Sequence, residues 1–323
     1  MSMTSPSSMQ FRGHTFDLEA SGCDFCGGDD FIPFWQKMRY GLNLPTVFCK
    51  RCGLCQSRPR PTATALDLFY SKLYNQFHSR ETPIDPKGEY VTRSARTAAP
   101  RVEVLKKFLD PTKPLRVMEI GTGVGQFQRI AREKTQWALE GIEPGEAQAA
   151  FCVSQGANVR NVFLADADLE EGAYDAVVSF HVFEHVKEPS DFIARASRLV
   201  KPGGLLYIEV PNLARPGSHF DEFLQFPHLY NFSSNTLRNY VSVIGGLRPI
   251  FTAERTQSLG LVARKLDDGS KSRVEKPHTG DYETYDVENF IQRLRMLERV
   301  FKLADGIPNV SLLGKVRGTL MSI

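Results

Sequence analysis

The strongest constraint on the fold is a glycine-rich turn that directly follows an apolar segment. In residues 117–127, VMEIGTGVGQF, three glycines recur at every second position after a stretch typical of a buried strand, and QFQRIAREK then begins a helix. A strand, a glycine turn and a helix in this order are typical of α/β folds, in which the turn holds a cofactor at the carboxyl end of the strand.

The residues around this turn discriminate between cofactor classes. A dinucleotide-binding turn requires a third glycine at position 126, which is Gln126 here, and an acid, Glu119, lies two residues before the first glycine. A carboxylate at that place repels a pyrophosphate and attracts a cationic group. The turn therefore favours a cofactor with a positively charged amino-acid end over NAD.

The segments that follow predict a doubly wound sheet. LEGIEP places Glu143 at the tip of a second strand, about twenty residues after the turn, where an acid suits ribose hydroxyls. A third strand, an acidic turn with Asp166, a fourth strand that His181 ends, and a fifth strand come next. Residues 251–265 indicate a closing antiparallel pair. Asp166 either caps an adenine amino group or lies in a surface turn.

Five of the six cysteines are concentrated between positions 23 and 55. Two C-x2-C pairs, Cys23 with Cys26 and Cys49 with Cys52, are separated by roughly twenty residues, a spacing typical of a tetrahedral structural zinc site. We predict that these four thiolates bind one Zn²⁺, with reduced, unligated thiols as the alternative. Cys55 is predicted to be a small apolar residue beside the site.

Four motifs together resemble class I S-adenosylmethionine-dependent methyltransferases: MEIGTGVGQF, LEGIEPG, YDAVVSFHVFEHV and LVKPGGLLYIEVPN. The N-terminal part, with CDFCGG and TVFCKRCGLCQSRPRP, resembles the zinc-ribbon head of a bacterial branch that methylates sugar nucleotides, glycans and other small metabolites. The resemblance covers roughly residues 20–265. It implies an α/β fold with a Rossmann-like, doubly wound sheet of seven strands, a small N-terminal zinc-ribbon module and a C-terminal helical extension.

The same resemblance implies S-adenosyl-L-methionine as the cofactor, beside the structural Zn²⁺. Glu119 and the first two glycines would meet the methionine end, Glu143 the ribose, and the stretch from Ser179 to His181 would line the site beneath the sulfonium. The expected cofactor-binding residues are Glu119, Gly121, Thr122, Gly123, Gly125, Glu143, Asp166, Ser179 and His181.

Three histidines are candidates for the catalytic base, because histidine titrates in the useful range. We predict His228, from the segment expected to close over the acceptor, with His181 second. His185 is the third candidate, with a capping or supporting role at the start of the next helix as its alternative. Relatives that methylate sugar carbon resemble Y-x-E-H here, whereas this chain has QFPH, which favours transfer to oxygen, with nitrogen as the alternative. HVFEH also matches the H-x-x-E-H pattern of inverted zinc peptidases, but that pattern requires one continuous helix, and His181 ends a strand.

The domain organisation follows from these segments. We predict a disordered tail over 1–20, a zinc ribbon over 21–60, a helical linker over 61–112, the methyltransferase domain over 113–266 and a C-terminal helical extension over 267–323. In the extension, VENFIQRLRMLERVFKLAD has the apolar period of an amphipathic helix. We expect it to pack on the domain, and a homodimer contact is the alternative.

Composition narrows the function classes. The net charge of +3 over 323 residues does not indicate nucleic acid, and no apolar run is long enough to insert into a membrane. The N-terminus lacks the apolar stretch of a signal peptide, so we expect a cytoplasmic protein. The favoured function is methyl transfer to a small-molecule acceptor, a hydroxyl of a sugar nucleotide or glycan. The alternatives are an rRNA or tRNA methyltransferase with a zinc module and a non-catalytic, methyltransferase-like binding protein.

Overall fold

The computed structural model describes residues 7–73, 84–266 and 276–305. The strands in this part of the chain are β1 (Ser8–Phe11), β2 (His14–Glu19), β3 (Phe31–Trp35), β4 (Thr46–Cys49), β5 (Cys55–Ser57), β6 (Arg60–Pro61), β7 (Arg116–Ile120), β8 (Ala138–Ile142), β9 (Val159–Arg160), β10 (Tyr174–Phe180), β11 (Val200–Val210), β12 (Tyr230–Asn231), β13 (Leu247–Arg255) and β14 (Ser258–Lys265). The helices are α1 (Ala63–Leu68), α2 (Glu89–Leu105), α3 (Gln126–Lys134), α4 (Glu146–Ser154), α5 (Pro189–Leu199), α6 (Phe220–Phe223), α7 (Ser234–Asn239) and α8 (Val287–Asp305). The π-helical turns Phe69–Leu73 and Tyr240–Ile244 extend α1 and α7.

A seven-stranded sheet lies at the centre, in the order β13-β14-β11-β10-β7-β8-β9. The five strands from β11 to β9 are parallel, whereas β14 runs antiparallel to β11 and pairs with β13 as a hairpin. The predicted Rossmann-like methyltransferase sheet, with its closing antiparallel pair, is confirmed. Because the parallel strands all end at the same edge, the turns after β7, β8 and β10 meet there.

Alternating apolar residues along the strands bury both faces of this sheet. On one face, Val117 and Val178 pack with Val102 of α2 and Phe127 of α3. On the other face, the neighbouring residues of the same strands pack with α5 and α7. Two buried faces explain why these strands are almost continuously apolar in the sequence.

The cysteine-rich segment packs into the core of the methyltransferase sheet. Its strands β3, β4 and β5 form a four-stranded antiparallel sheet whose fourth strand is β12, from the segment that follows β11. The register pairs Tyr230 with Gln56 and Asn231 with Cys55. Phe25, between the first two cysteines of the cluster, contacts the ring of Tyr240 at a centroid distance of 4.9 Å. The N-terminal segment and the domain therefore share side-chain packing and backbone hydrogen bonds.

The prediction of a disordered tail over residues 1–20 is wrong for residues 8–19. These form the hairpin β1–β2, and β2 also pairs with β6. The Ser-rich start of the chain indicated disorder, whereas the apolar residues of the two strands, Met9, Phe11 and Phe16, are buried. Phe16 is fully buried and contacts the ring of Phe226 at 5.1 Å, so the hairpin is held by the segment that carries His228.

The C-terminal helix α8 packs against the N-terminal part of the chain. Val287, Ile291 and Leu294 are buried in the same apolar cluster as Phe34 and Phe48. The part of the predicted extension at 306–323 lies outside the described residues. Among the described helices, none combines the length and the apolar character that crossing a membrane requires.

We expect Phe16→Ala to lower the free energy of unfolding by about 3–5 kcal/mol, because it leaves a cavity between the hairpin and Phe226. Denaturant unfolding followed by circular dichroism measures this loss. Phe163→Ala is the matched control, since that ring is 54% exposed, and its effect should stay within about 0.5 kcal/mol. Equal, small effects of the two substitutions would show that the hairpin does not contribute to the fold.

Candidate active site

The glycine turn after β7 has the backbone that only glycine adopts easily. Gly121, Gly123 and Gly125 have φ angles of 78°, 54° and 68°. A Cβ on Gly121 would lie 2.3 Å from Val182 Cγ2, so the turn after β10 packs directly on it. At Gly123 the nearest atom to such a Cβ is the Tyr90 hydroxyl oxygen, 3.5 Å away. Gly123 is thus the least crowded of the three glycines, with an ordinary van der Waals contact where the other two have close approaches.

Glu119 is a buried acidic residue of β7, two residues before Gly121. It is 3% exposed, and within the described chain its Oε2 accepts no hydrogen bond. Burial raises its pKa to about 8, although the positive charge of Arg101 acts in the opposite direction. A buried acceptor without a partner fits a ligand that carries a cationic donor, such as an ammonium group.

Glu143 follows β8 and faces the same turn. Its Oε2 accepts a hydrogen bond from the Gly123 backbone N–H at 2.7 Å, and its Oε1 accepts one from Gly145 at 2.9 Å. These bonds hold the carboxylate at the tip of its strand. A carboxylate oxygen can accept more than one hydrogen bond, so an acid at this strand tip suits hydroxyl donors such as those of a ribose.

The remaining predicted cofactor residues differ in how they are placed. Thr122 is buried, with its Oγ1 3.7 Å from Cys152 Sγ, so its side chain faces α4. Ser179 is also buried, and its hydroxyl donates to the Ile120 carbonyl oxygen at 3.0 Å. Asp166 lies on an exposed loop between β9 and β10. The structure therefore brings Glu119, the glycines and Glu143 together, and gives Thr122 and Ser179 contacts within the protein.

His181 directly follows β10, has a φ of 56°, and its side chain is 38% exposed at the strand tips. Its Nδ1 lies 3.4 Å from Glu184 Oε1, and its Nε2 lies 3.3 Å from Glu209 Oε1. Removal from solvent acts to lower its pKa, but the two nearby carboxylates raise it to about 9. In the protonated state that this favours, His181 donates hydrogen bonds rather than accepts them.

Glu209 is the centre of a buried ion pair that sequence reasoning missed. Arg101 of α2 donates from Nη2 to Glu209 Oε1 at 2.5 Å and from Nε at 3.0 Å, and its guanidinium lies over the Phe180 ring. Burial acts to raise the pKa of Glu209, but the hydrogen bond from His181 and the charge of Arg101 lower it well below its usual range. The one available signal was a lone acid in the apolar strand LLYIEV.

His228 is 5% exposed and lies against Glu184 and His185. Its Nε2 is 3.9 Å from Glu184 Oε1, and the Gln225 amide nitrogen is 2.8 Å from the same ring nitrogen. The structure thus brings the three candidate histidines together around Glu184, although His181 alone among them is strongly exposed. The assignment of the base to His228 stays a prediction. Residues 181–185 do not form a helix, so the H-x-x-E-H peptidase pattern lacks its required element.

The four predicted zinc ligands converge at one buried point. Cys23 Sγ lies 3.4 Å from Cys52 Sγ, Cys26 Sγ lies 3.6 Å from Cys49 Sγ, and all four sulfur atoms are within 4.8 Å of one another. Tetrahedral zinc with bonds of about 2.3 Å requires sulfur atoms about 3.8 Å apart, so the cluster fits the ion. Cys55 is outside this group, and burial raises its pKa well above the ordinary value, as expected for a neutral core thiol.

Comparison with known proteins agrees with this geometry. Residues 90–245 match a family described as a methyltransferase domain. The match covers just under half of the chain, and the seven-stranded sheet with its glycine turn has the Rossmann-like methyltransferase fold.

Curated relatives are similar to the chain over its central part. A ubiquinone biosynthesis O-methyltransferase from Caulobacter vibrioides is 28% identical over 145 residues, which are 40% of this chain and 57% of that protein. One from Acinetobacter baumannii is 26% identical over 159 residues, 47% of this chain and 65% of that protein. The chain thus spans less than two thirds of the length of these relatives.

Solved structures are similar at the level of the fold. An S-adenosylmethionine-dependent methyltransferase from Mesorhizobium loti is 17% identical, with a TM-score of 0.43 and coverage of 51% of this chain and 96% of that chain. One from Aquifex aeolicus is 19% identical, with a TM-score of 0.42 and coverage of 51% and 88%.

We expect a thiol-specific mercurial to release about one zinc ion per chain from the wild type and much less from Cys49→Ser, because three thiolates hold the ion poorly. A colorimetric zinc indicator measures the release. Cys55→Ser is the matched control and should keep its zinc. If Cys55→Ser loses the ion while Cys49→Ser keeps it, the ligand assignment is wrong.

The affinity for the cofactor should rise with pH between about 6 and about 7.5, where the cofactor's α-amino group is protonated. Because the pKa of Glu119 is about 8, its carboxyl group is mostly protonated in this pH range. Binding of an ammonium group must therefore release the proton of Glu119. Calorimetry with the demethylated cofactor, in buffers of different ionisation enthalpy, counts the protons released. Glu119→Gln should bind more weakly with a flat profile. A wild type that releases no proton would exclude this role for Glu119.

Proposed function

We propose that this protein is an S-adenosylmethionine-dependent methyltransferase that acts on a hydroxyl group of a small metabolite. The observation that carries the proposal is the methyltransferase-domain match over residues 90–245, combined with two carboxylates, Glu119 and Glu143, at the tips of adjacent strands. When bound, the cofactor supplies an electrophilic methyl group on a sulfonium. The residues of the chain orient donor and acceptor for a direct displacement.

The assignment of cofactor contacts rests on charge and space. Oε2 of Glu119, which accepts no hydrogen bond within the described residues, suits the α-ammonium group, and Gly123, the least crowded glycine of the turn, suits the methionine part. The carboxylate of Glu143, fixed by two backbone N–H groups, suits the ribose hydroxyls. Asp166 remains a proposed adenine contact from the loop after β9.

Oxygen is the proposed acceptor atom for two reasons. The segment before β12 reads QFPH, without the tyrosine and the glutamate that accompany sugar-carbon methylation in the resembling branch. The curated relatives named above are O-methyltransferases. Among small metabolites, we favour a sugar nucleotide or glycan as the acceptor. The reason is that the cysteine-rich N-terminal segment of this chain resembles the zinc-ribbon head of the branch that methylates sugars.

The zinc ion of the four-cysteine cluster is proposed to be structural. Four thiolates fill the coordination sphere, so no position is left for water or substrate. Cys49 is the last residue of β4 and Cys52 lies between β4 and β5, and β5 pairs with β12 near the candidate active site. A zinc ion here would therefore support the substrate side of the domain through the backbone.

The proposal is tested by incubating the protein with isotopically labelled S-adenosylmethionine and a panel of sugar nucleotides, phenols and transfer RNA. We expect label in a small hydroxyl-bearing acceptor. Glu143→Ala should weaken binding of the demethylated cofactor by about 1.5–3 kcal/mol, the range for hydrogen bonds to charged groups. The exposed Glu146, three residues further along, gives the matched control Glu146→Ala, which should bind normally.

Three results would contradict the proposal. Calorimetric binding of NAD without binding of an adenosyl-methionine cofactor would refute the cofactor class. Labelling of RNA alone would transfer the function to the nucleic-acid alternative. Cofactor binding with no labelled product from any acceptor would favour a binding protein.

A further inference from the structure

Glu184, His185 and His228 form a second cluster of metal-ligating side chains, separate from the four cysteines. One ligand atom from each of the three lies within 4.8 Å of the others. The His185 and His228 Nε2 atoms are 3.8 Å and 3.9 Å from the same oxygen, Glu184 Oε1. The two imidazole rings meet edge to face at 4.7 Å. The cluster thus directs two nitrogens and a carboxylate toward a shared point.

The Glu184 carboxylate is buried and has few partners: His181 Nδ1 lies 3.4 Å from its Oε1. It is 1% exposed, and neither of its oxygens makes a hydrogen bond within the part of the chain that the structure describes. Burial of a carboxylate without strong hydrogen bonds costs several kcal/mol, so such groups pair with a cation or coordinate a metal. A cation among the three side chains would give Glu184 Oε1 the charged partner that its burial favours.

His185 is oriented as a metal ligand. Its Nδ1 lies 2.9 Å from the Pro227 carbonyl oxygen. A carbonyl only accepts hydrogen bonds, so Nδ1 carries the proton and Nε2 carries the lone pair that faces Glu184. Donation of the outer ring nitrogen to a backbone carbonyl is the usual way in which proteins fix the tautomer and angle of a coordinating histidine.

The backbone holds the two halves of the cluster together. Tyr230 N–H donates to the Glu184 carbonyl oxygen at 3.2 Å, which joins the segment after β10 to β12. On the other side, Ser57 N–H donates to the Leu229 carbonyl oxygen at 2.9 Å, next to His228. The ligands are therefore brought together by fixed backbone and not by chance contact of mobile side chains.

We propose that Glu184, His185 and His228 bind a divalent first-row transition metal ion. Two neutral imidazoles and one carboxylate are the donor set of catalytic zinc and of non-haem iron sites, whereas Mg²⁺ and Ca²⁺ prefer oxygen alone. Bonds of about 2.0–2.1 Å place ligand atoms about 2.9–3.4 Å apart, so side-chain adjustments of about half an ångström close the site. The Gln225 amide, 2.8 Å from His228 Nε2, must turn away when the ion binds.

Three protein ligands leave coordination positions for a small molecule. His181 Nδ1 is 3.4 Å from Glu184 Oε1, so the site is one side chain away from the open strand tips. In the methyl transfer proposed above, an ion here would lower the pKa of an acceptor hydroxyl. That use depends on the proposed function, but binding of the ion does not. As a ligand, His228 would not be the proton acceptor.

The test is titration of the purified wild type with Co²⁺, while its cysteine site holds zinc. We expect one further equivalent with weak visible absorption and without the intense near-ultraviolet band of thiolate-bound cobalt. Elemental analysis accompanies the titration, so zinc already present at the second site is counted. The wild type should then hold two transition-metal ions per chain in total. Mg²⁺ in large excess should not compete.

Variants assign the ion to the cluster. Glu184→Gln and His228→Ala should each weaken Co²⁺ binding by more than roughly tenfold, without loss of mercurial-released zinc. His14→Ala makes the same chemical change in β2, far along the chain from the cluster, and should bind like the wild type. Gln225→Ala should bind as well as the wild type or better, because the competing amide is removed.

Several results would overturn the proposal. The wild type could bind no second equivalent of metal, or its bound cobalt could show only the thiolate band. Alternatively, both cluster variants could bind Co²⁺ as tightly as the wild type, or Mg²⁺ could displace the Co²⁺. The wild-type spectrum decides the matter even if a variant fails to fold. Metal binding without any methyl transfer would leave this site intact and refute the proposed function alone.

Discussion

The candidate active site depends on the antiparallel pairing of β5 with β12. This pairing joins a strand of the cysteine-rich segment to the chain that leaves the methyltransferase sheet, with Cys55 opposite Asn231 and Gln56 opposite Tyr230. A strand as short as β12 has no stability by itself. Its place is fixed by β5, by the contact of Phe16 with Phe226 and by the hydrogen bond to Glu184. The N-terminal segment therefore fixes the position of the segment that carries His228.

A series of neighbouring charged side chains connects the segment that carries His228 to the cofactor side of the sheet. Arg101 pairs with Glu209, Glu209 faces His181, and His181 faces Glu184. Buried ion pairs add little net stability, but removal of one member leaves an unpaired charge and is strongly destabilising. This series therefore specifies one arrangement of α2, β10 and β11 at the strand tips. The charge of Arg101 also reaches Glu119, which links the two parts of the site electrostatically.

Sequence reasoning predicted the sheet well because its signal is local and periodic. The glycine turn, the acid at position 143 and the closing hairpin all follow from runs of fewer than about twenty residues, which fix strand and helix periods directly. The four-cysteine cluster was predictable for the same reason, since a C-x2-C pair makes a tight turn by itself. Side-chain direction was harder to predict. Ser179 and Thr122 lie in the predicted turns, yet their hydroxyls face Ile120 and Cys152.

The sequence by itself determined the class of domain, the glycine turn with Glu119 and Glu143, and the four-cysteine cluster. The tertiary structure alone decided that residues 8–19 form a hairpin, and that Glu184 and His185 meet His228. Periodicity encodes which face of an element is buried, but not which distant segment covers it. The partner of a buried polar residue depends on which distant segments of the chain the tertiary structure brings together. His228 and Glu184 share a site because β5 holds β12 beside the end of β10, a relation that no local pattern contains.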